Sequence, residues 1–248
     1  MKFGSGRTHI LKKSSNIGAA KIAIMLGDAK LDRYLREFNV GSRLGIDLPG
    51  EESGILRPVG KWTKISSSRI AIGQGVSVTG LQMLGILCAI ANDGKLMKPY
   101  VVREVVAADG AVLLRRQPQV LTRPIRPETA ALMRSLLARV CESGGTGSRA
   151  AMDGYRVAGK TGTAQKLVQK HYSETDYMAS FVGFLPVEKP EIGMIVVFDE
   201  PQPLHTGGSV SAPVFAAIAN QVVRYLDIIP PETAPVRQAA SSESNETF

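Results

Sequence analysis

The 248-residue sequence predicts an α/β domain in which an antiparallel sheet is flanked by helices. Three observations carry that prediction. Strand-like segments at 155–163, 178–185 and 192–198 follow one another with only polar or proline-containing turns between them, which suits consecutive antiparallel strands. Apolar residues recur at helical spacing both before and after this run. A hydrophobic content of 44% in a chain of this length is enough to bury a substantial core.

The elements follow in order. Ser14, Ser15 and Asn16 end a polar stretch, and Ile17, Ala20 and Ile24 then repeat at helical spacing, so a helix is expected to start at this run. Gly27 and Asp28 restart a second helix with Leu31, Tyr34, Leu35 and Phe38 on one face and Gly41 as terminator. Residues 47–68 are rich in Gly, Pro and Ser and read as a long surface connection, with Trp62 as its packing anchor. Thr79 caps a helix that continues through Ile90 and stops at Asn92, Asp93 and Gly94. Between 100–106 and 111–115, Ala108, Asp109 and Gly110 give the strongest hairpin signal in the chain. Pro127 suits the first turn of a helix with Leu132, Leu136, Leu137 and Val140 on one side, ending near Gly144, and a glycine-rich loop follows. Residues 211–226 predict a last helix, with a cap and early proline at its start and Val214, Ile218, Val222 and Tyr225 as the apolar stripe laid on the sheet. From 230 to 248 the composition turns to Pro, Ser, Ala and Glu; a disordered tail is expected there, leaving 1–229 as the domain.

Composition excludes several function classes. The formal charge of +8 is scattered rather than gathered into a stripe, and no nucleic-acid-binding motif accompanies it, so nucleic acid is not an expected partner. Cys88 and Cys141 sit singly in apolar helical segments, and His9, His171 and His205 lie far apart outside any His-Glu-x-x-His pattern, so neither metal nor cofactor is expected. Residues 1–8 carry glycine and serine where a signal peptide has its apolar core. The longest apolar run, 83–91, is too short to cross a bilayer, so no membrane anchor is expected in this chain.

Two motifs overlap near the middle of the predicted sheet. Residues 154–161 fit the phosphate-binding pattern G-x-x-x-x-G-K-[ST], and Asp199 and Glu200 end a hydrophobic strand as a magnesium-binding partner would. That reading, an ATPase, needs a buried strand immediately before the loop, and 148–153 has no run of β-branched or large aliphatic residues to supply one. Lys160, Thr161, Gly162 and Thr163 make better sense on a strand edge. A lysine supplies positive charge, and hydroxyls at alternate positions point to one face that can grip a carboxylate. Gly162 lets a substrate backbone lie close, and the Thr163 N–H is a candidate oxyanion donor.

Ser14-x-Asn16 at a helix start, far upstream of Lys160-Thr161-Gly162, matches the second and third members of the set formed by a nucleophilic Ser-x-x-Lys, a Ser-x-Asn and a Lys-Thr-Gly. Together with stretches 14–18, 47–51, 73–79, 159–164, 181–184 and 212–215, these motifs resemble the C-terminal part of a class B, cell-division-type penicillin-binding transpeptidase domain. Gly80 stands where relatives commonly have proline. The resemblance implies a penicillin-binding transpeptidase/serine β-lactamase-like fold. It also implies that Ser14 takes part in proton transfer, Asn16 bonds the substrate amide and Lys160 supports the network from the opposite wall. Thr161 and Thr163 would hold the terminal carboxylate of a D-alanyl-D-alanine stem peptide of peptidoglycan, or that of a β-lactam. The family works on the outer, periplasmic side of the inner membrane, which would bring divisome membrane proteins in as partners.

No serine in the sequence is followed three places later by lysine. Loss of the nucleophile in serine hydrolases costs on the order of a million-fold in turnover, whereas one oxyanion donor is worth about 3 kcal/mol. The chain alone is therefore expected to be inactive, and marginally folded, because the resemblance implies a five-stranded sheet whose first two strands and nucleophile-bearing helix precede this segment. A truncated or split gene, a partial assembly, or a non-catalytic binding or scaffold module all fit the sequence, and the DNA immediately upstream discriminates among them.

Overall fold

The computed structural model describes residues 5–168 and 171–231, so the expected tail falls outside the described residues from 232 onward. The helices and strands, in chain order, begin with α1 (Ser5–Lys12), α2 (Asn16–Leu26) and α3 (Asp28–Glu37). Helix α1 was not expected; Gly18 lets it lie close to α2, because a Cβ there would come within 2.6 Å of Ile10. Helix α2 starts where the sequence predicts, with Ser15 as the capping residue whose hydroxyl accepts from the Gly18 N–H. Helix α3 ends one turn before Gly41, and the chain then turns through Asn39 and Gly41, both at positive φ.

The stretch read as one long connection contains a short helix, α4 (Ser66–Ile70), and Trp62 is only half-buried there, its indole N–H donating to the Arg57 carbonyl. Helix α5 (Gly80–Ala91) has a full capping box between Thr79 and Gln82. Gln82 does more than cap. Almost fully buried, it accepts from the Thr79 N–H through Oε1 and donates through Nε2 to the carbonyls of Asn39, Ser42 and Ser53, pinning the turn after α3 and the connection that follows it to one helix. The 47–51 stretch is a second pin. Asp47 accepts from the Val101 and Val102 N–H groups, which together with Arg116 hold its carboxyl below the usual range, and Glu51 accepts from Leu44, Gly45 and Ile46.

Strands β1 (Leu96–Met97), β2 (Glu104–Val106), β3 (Val112–Arg115) and β4 (Val120–Thr122) form two small antiparallel pairs, β1 with β4 and the predicted hairpin β2 with β3. Helix α6 (Pro127–Cys141) starts at its proline as expected, but Leu132 is 44% exposed; the buried face is Ala130, Leu137, Ala138, Val140 and Cys141.

The main sheet follows: β5 (Ala158–Val168), β6 (His171–Leu185) and β7 (Ile192–Asp199), antiparallel in the order β5-β6-β7. The first strand begins three residues later than predicted, and β5 and β6 together extend well past the expected ends. Central strand β6 alternates between two cores. Phe181 and Leu185 face helix α7 (Gly207–Tyr225) with Phe215, Ala219 and Val223, while Val182 and Phe184 face α5 and α6 with Leu87, Ile90 and Leu137. The sheet is thus sandwiched between helices, as expected. Strand β7 has one neighbour, and the two further strands implied by the resemblance have no counterpart among the described residues.

Helix α7 departs from the prediction in two ways. It starts at Gly207, so Ser211 lies inside it, fully buried, and Pro213 falls in its second turn. Its buried stripe is Ala212, Phe215, Ala219 and Val223, whereas Ile218 and Tyr225 are 40% and 86% exposed. Both stripes have helical spacing; the one with small residues wins because Ala212 and Ala219 let the helix sit close on the Phe181 face.

Candidate active site

Lys160 and Thr161 lie within β5, paired to Val182 and Phe181 of β6, not at the strand-to-helix turn that a phosphate-binding loop requires. From this strand the Lys160 ammonium reaches across to the α1–α2 junction and donates to Ser14 Oγ at 2.8 Å, and at the same distance to the Thr161 carbonyl. Burial of the ammonium pushes its pKa down from 10.5 to about 8. Ser14 itself is held at φ 53°, in the left-handed region, closing α1 with a residue type that rarely adopts this backbone. That backbone conformation costs a serine about 1 kcal/mol or more, and in it the hydroxyl lies within hydrogen-bond reach of Lys160.

The residues singled out from the sequence therefore come together, 146 positions apart in the case of Lys160 and Ser14. Ser14, Asn16, Thr161 and Thr163 line one cleft of about 510 Å³, with Lys160 behind Ser14. Gly162 does not line it. A Cβ at Gly162 would meet Ser180 Oγ at 2.4 Å, a contact that turning the serine hydroxyl aside would relieve.

The same cleft contains residues that the sequence reading missed: Thr146, Ser148 and Arg149 from the loop after α6, and Thr206 and Ser209 from the start of α7. Thr161 donates to Thr146 Oγ1 at 3.0 Å, and the Gly207 N–H donates to Thr163 Oγ1 at 3.2 Å. The N-terminus of a 19-residue helix thus abuts the hydroxyl wall, and its partial positive charge favours an anion there. Close approach makes this possible. A Cβ at Gly207 would lie 2.1 Å from the Ser180 carbonyl and 2.4 Å from that of Gly162, so only glycine lets the helix start against β5. The paired glycines at 207–208 and the glycine-rich 144–147 loop were the available signals, since glycines mark close backbone contacts.

The arrangement is a cation-backed, hydroxyl-lined slot beside a helix N-terminus, suited to holding a carboxylate next to a proton-transfer pair. Among the described residues no helix is long and apolar enough to cross a membrane.

Comparison with known proteins identifies the architecture. The family model "Penicillin binding protein transpeptidase domain" matches residues 5–220. The penicillin-binding protein PbpB of Mycolicibacterium smegmatis is 36% identical over 92% of this chain, and stage V sporulation protein D of Bacillus subtilis is 35% identical over 89%. The chain spans 37% and 34% of the lengths of those two relatives. The transpeptidase domain of penicillin-binding protein 3 from Burkholderia pseudomallei superposes with a TM-score of 0.80 at 36% identity, over 91% of this chain and 66% of that one. Penicillin-binding protein 3 of Mycobacterium tuberculosis, solved in complex with ampicillin, gives 0.83 at 33% identity, over 92% of this chain and 53% of its own. With residues 5–220 matched by the family model and most of its length by these class B relatives, the chain belongs to the penicillin-binding protein transpeptidase domain family, class B.

Proposed function

We propose that this chain supplies the substrate-gripping wall of a peptidoglycan D,D-transpeptidase site, and that by itself it does not form an acyl-enzyme. The observation that carries the reading is the 2.8 Å bond from Lys160 to Ser14 across a cleft whose other side is the Thr161 and Thr163 hydroxyls. On this reading Thr161 and Thr163, with Gly162 between them, hold the terminal carboxylate of a D-Ala-D-Ala stem peptide, aided by the α7 N-terminus. Asn16 bonds the substrate amide. Ser14 and Lys160 carry the proton between the attacking hydroxyl and the leaving amine, and that attacking serine comes from a Ser-x-x-Lys segment outside this sequence. β-Lactams, which present an equivalent carboxylate, occupy the same slot, as the ampicillin complex of the Mycobacterium tuberculosis relative supports. The working location is the outer side of the inner membrane, among division proteins.

Two measurements test this together. Fluorescent penicillin is expected to leave no covalent label on the purified chain, and stoichiometric labelling would overturn the inactivity. A D-Ala-D-Ala peptide is expected to bind reversibly by ligand-detected NMR and to lose that binding in Thr161→Ala/Thr163→Ala; an unchanged signal in the double variant would sink the assignment of the carboxylate grip.

A further inference from the structure

Residues 53–92 contain no aspartate or glutamate, yet they hold Arg57, Lys61, Lys64 and Arg69. The fold gathers three of these around one concavity of about 220 Å³, formed where the turn before α4 meets α4 itself. Arg57, Lys61 and Arg69 line it with Trp62, Ile65 and Ile70, and no acidic residue takes part. Among the described residues none of the three cations makes an ion pair; that holds also for other exposed cations such as Lys64 and Arg224, and what sets this place apart is that three of them line one concavity with no carboxylate in it. A second concavity, of about 200 Å³, shows the contrast, because there Asp47 pairs with Arg116 and, among the described residues, Lys98 is the lining cation left without an ion pair. All three side chains are exposed, and a concave wall carrying one sign of charge and no carboxylate attracts an anion.

The apolar part of the lining narrows the class of anion. The Trp62 indole is fixed at its edge by the 2.9 Å bond to the Arg57 carbonyl, and the Thr63 N–H bonds Ser66 Oγ at 2.8 Å, so the turn before α4 is tied down and the ring stands as a wall. Ile65 is 50% exposed beside it. A phosphate or a simple polyanion would satisfy the cations and leave the indole and isoleucines in water. An extended polypeptide segment with carboxylates on either side of a large apolar side chain satisfies both. We propose that this groove is a docking site for an acidic, leucine- or aromatic-bearing segment of a partner protein, separate from the substrate cleft and independent of the nucleophile.

Trp62 is the only tryptophan of the chain, so its emission reports on the groove alone. The probe is a fluorescein-labelled peptide of alternating glutamate and leucine, titrated into the purified chain and followed both by anisotropy and by Trp62 emission. Binding with a change in Trp62 emission is expected, weakened by added salt and by about tenfold in Arg57→Gln/Arg69→Gln, the worth of two partly exposed ion pairs. Arg224→Gln, at the end of α7, is expected to bind as the unchanged chain does. Among the described residues neither Arg57 nor Arg69 uses its side chain in a hydrogen bond, so the double variant is expected to keep its circular dichroism spectrum; if it does not, the single variants Arg57→Gln and Arg69→Gln decide by the same readout. Equal affinity in the groove variants overturns the proposal. So does equally tight binding of a glutamate–serine peptide, of inorganic polyphosphate or of phosphatidylglycerol vesicles, which would make the groove a general polyanion or lipid site.

Discussion

Behind the β5 wall of the cleft stand Phe181 and Phe215, both fully buried and packed edge to face at 4.8 Å, whereas the helix that carries the opposite wall, α2, buries only Ala23. On α2, Ile17, Ile24 and Met25 are 72%, 62% and 80% exposed. Lys160, Thr161 and Thr163 are therefore placed by a hydrophobic core, while Ser14 and Asn16 are placed by local backbone chemistry: the left-handed Ser14, the Ser15 cap and the bond from Lys160. A cleft with one wall set by packing and the other by a few polar contacts can keep its fold when the polar wall is altered, but not when the packed wall is.

The largest expected effect lies behind β5. Phe181→Ala removes a fully buried ring, and urea unfolding is expected to show a loss of about 3–5 kcal/mol, with the cleft lost as well. A loss near zero would mean that the packed wall does not set the stability. Next comes Gln82→Ala. It strips the carbonyls of Asn39, Ser42 and Ser53 and the Thr79 N–H of their partner, for about 2–3 kcal/mol by the same unfolding measurement, while reversible ligand binding at the cleft survives.

Lys160 joins the two walls, and its effect is read by pH. Its ammonium is charged in the folded chain below about pH 8 and neutral above it. Affinity for a D-Ala-D-Ala peptide is expected to fall about tenfold as pH rises through this value, the worth of one charge-assisted hydrogen bond, and Lys160→Ala is expected to abolish the step. Stability moves the other way. Between about 8 and 10.5 the unfolded chain binds more protons at this lysine than the folded one, so thermal stability is expected to rise across that window in the unchanged chain and not in Lys160→Ala. The smallest effect is on α2, where Ile24→Ser is expected to change unfolding by less than about 0.5 kcal/mol, in contrast to Phe181→Ala.

Much of this was readable in advance where a local rule acts alone. The Thr79 cap, the Asp109-Gly110 hairpin and Pro127 at a helix start depend on residues within one turn of each other, and each lies where the sequence predicts. Ser14, Asn16, Thr161 and Thr163 were found because their motifs are short and lie in a fixed order, and all four line the cleft. Where two patterns compete, the sequence misleads. On α7 the stripe of Val214, Ile218, Val222 and Tyr225 is the more hydrophobic, yet the Ala212, Phe215, Ala219 and Val223 stripe is buried. Leu132 on α6 is misread for the same reason. Thr146, Arg149, Thr206 and Ser209 carry no motif; Thr206 and Ser209 enter the cleft because Gly207 starts α7 against β5, and Thr146 and Arg149 because Gly145 and Gly147 let the loop after α6 fold tightly against Val140.

Near neighbours in the sequence settle capping, turn chemistry and strand alternation, which is why the antiparallel sheet between helices, the motif residues of the cleft and most elements other than α1, α4, β1 and β4 were legible there. Three outcomes came from the packed fold instead: which face of α7 is buried, why Gly207 must be glycine, and that Arg57, Lys61 and Arg69 share one groove without a carboxylate in it. Those outcomes depend on how closely two backbones approach and on which charges the fold brings within reach, and neither distance is encoded in spacing along the chain.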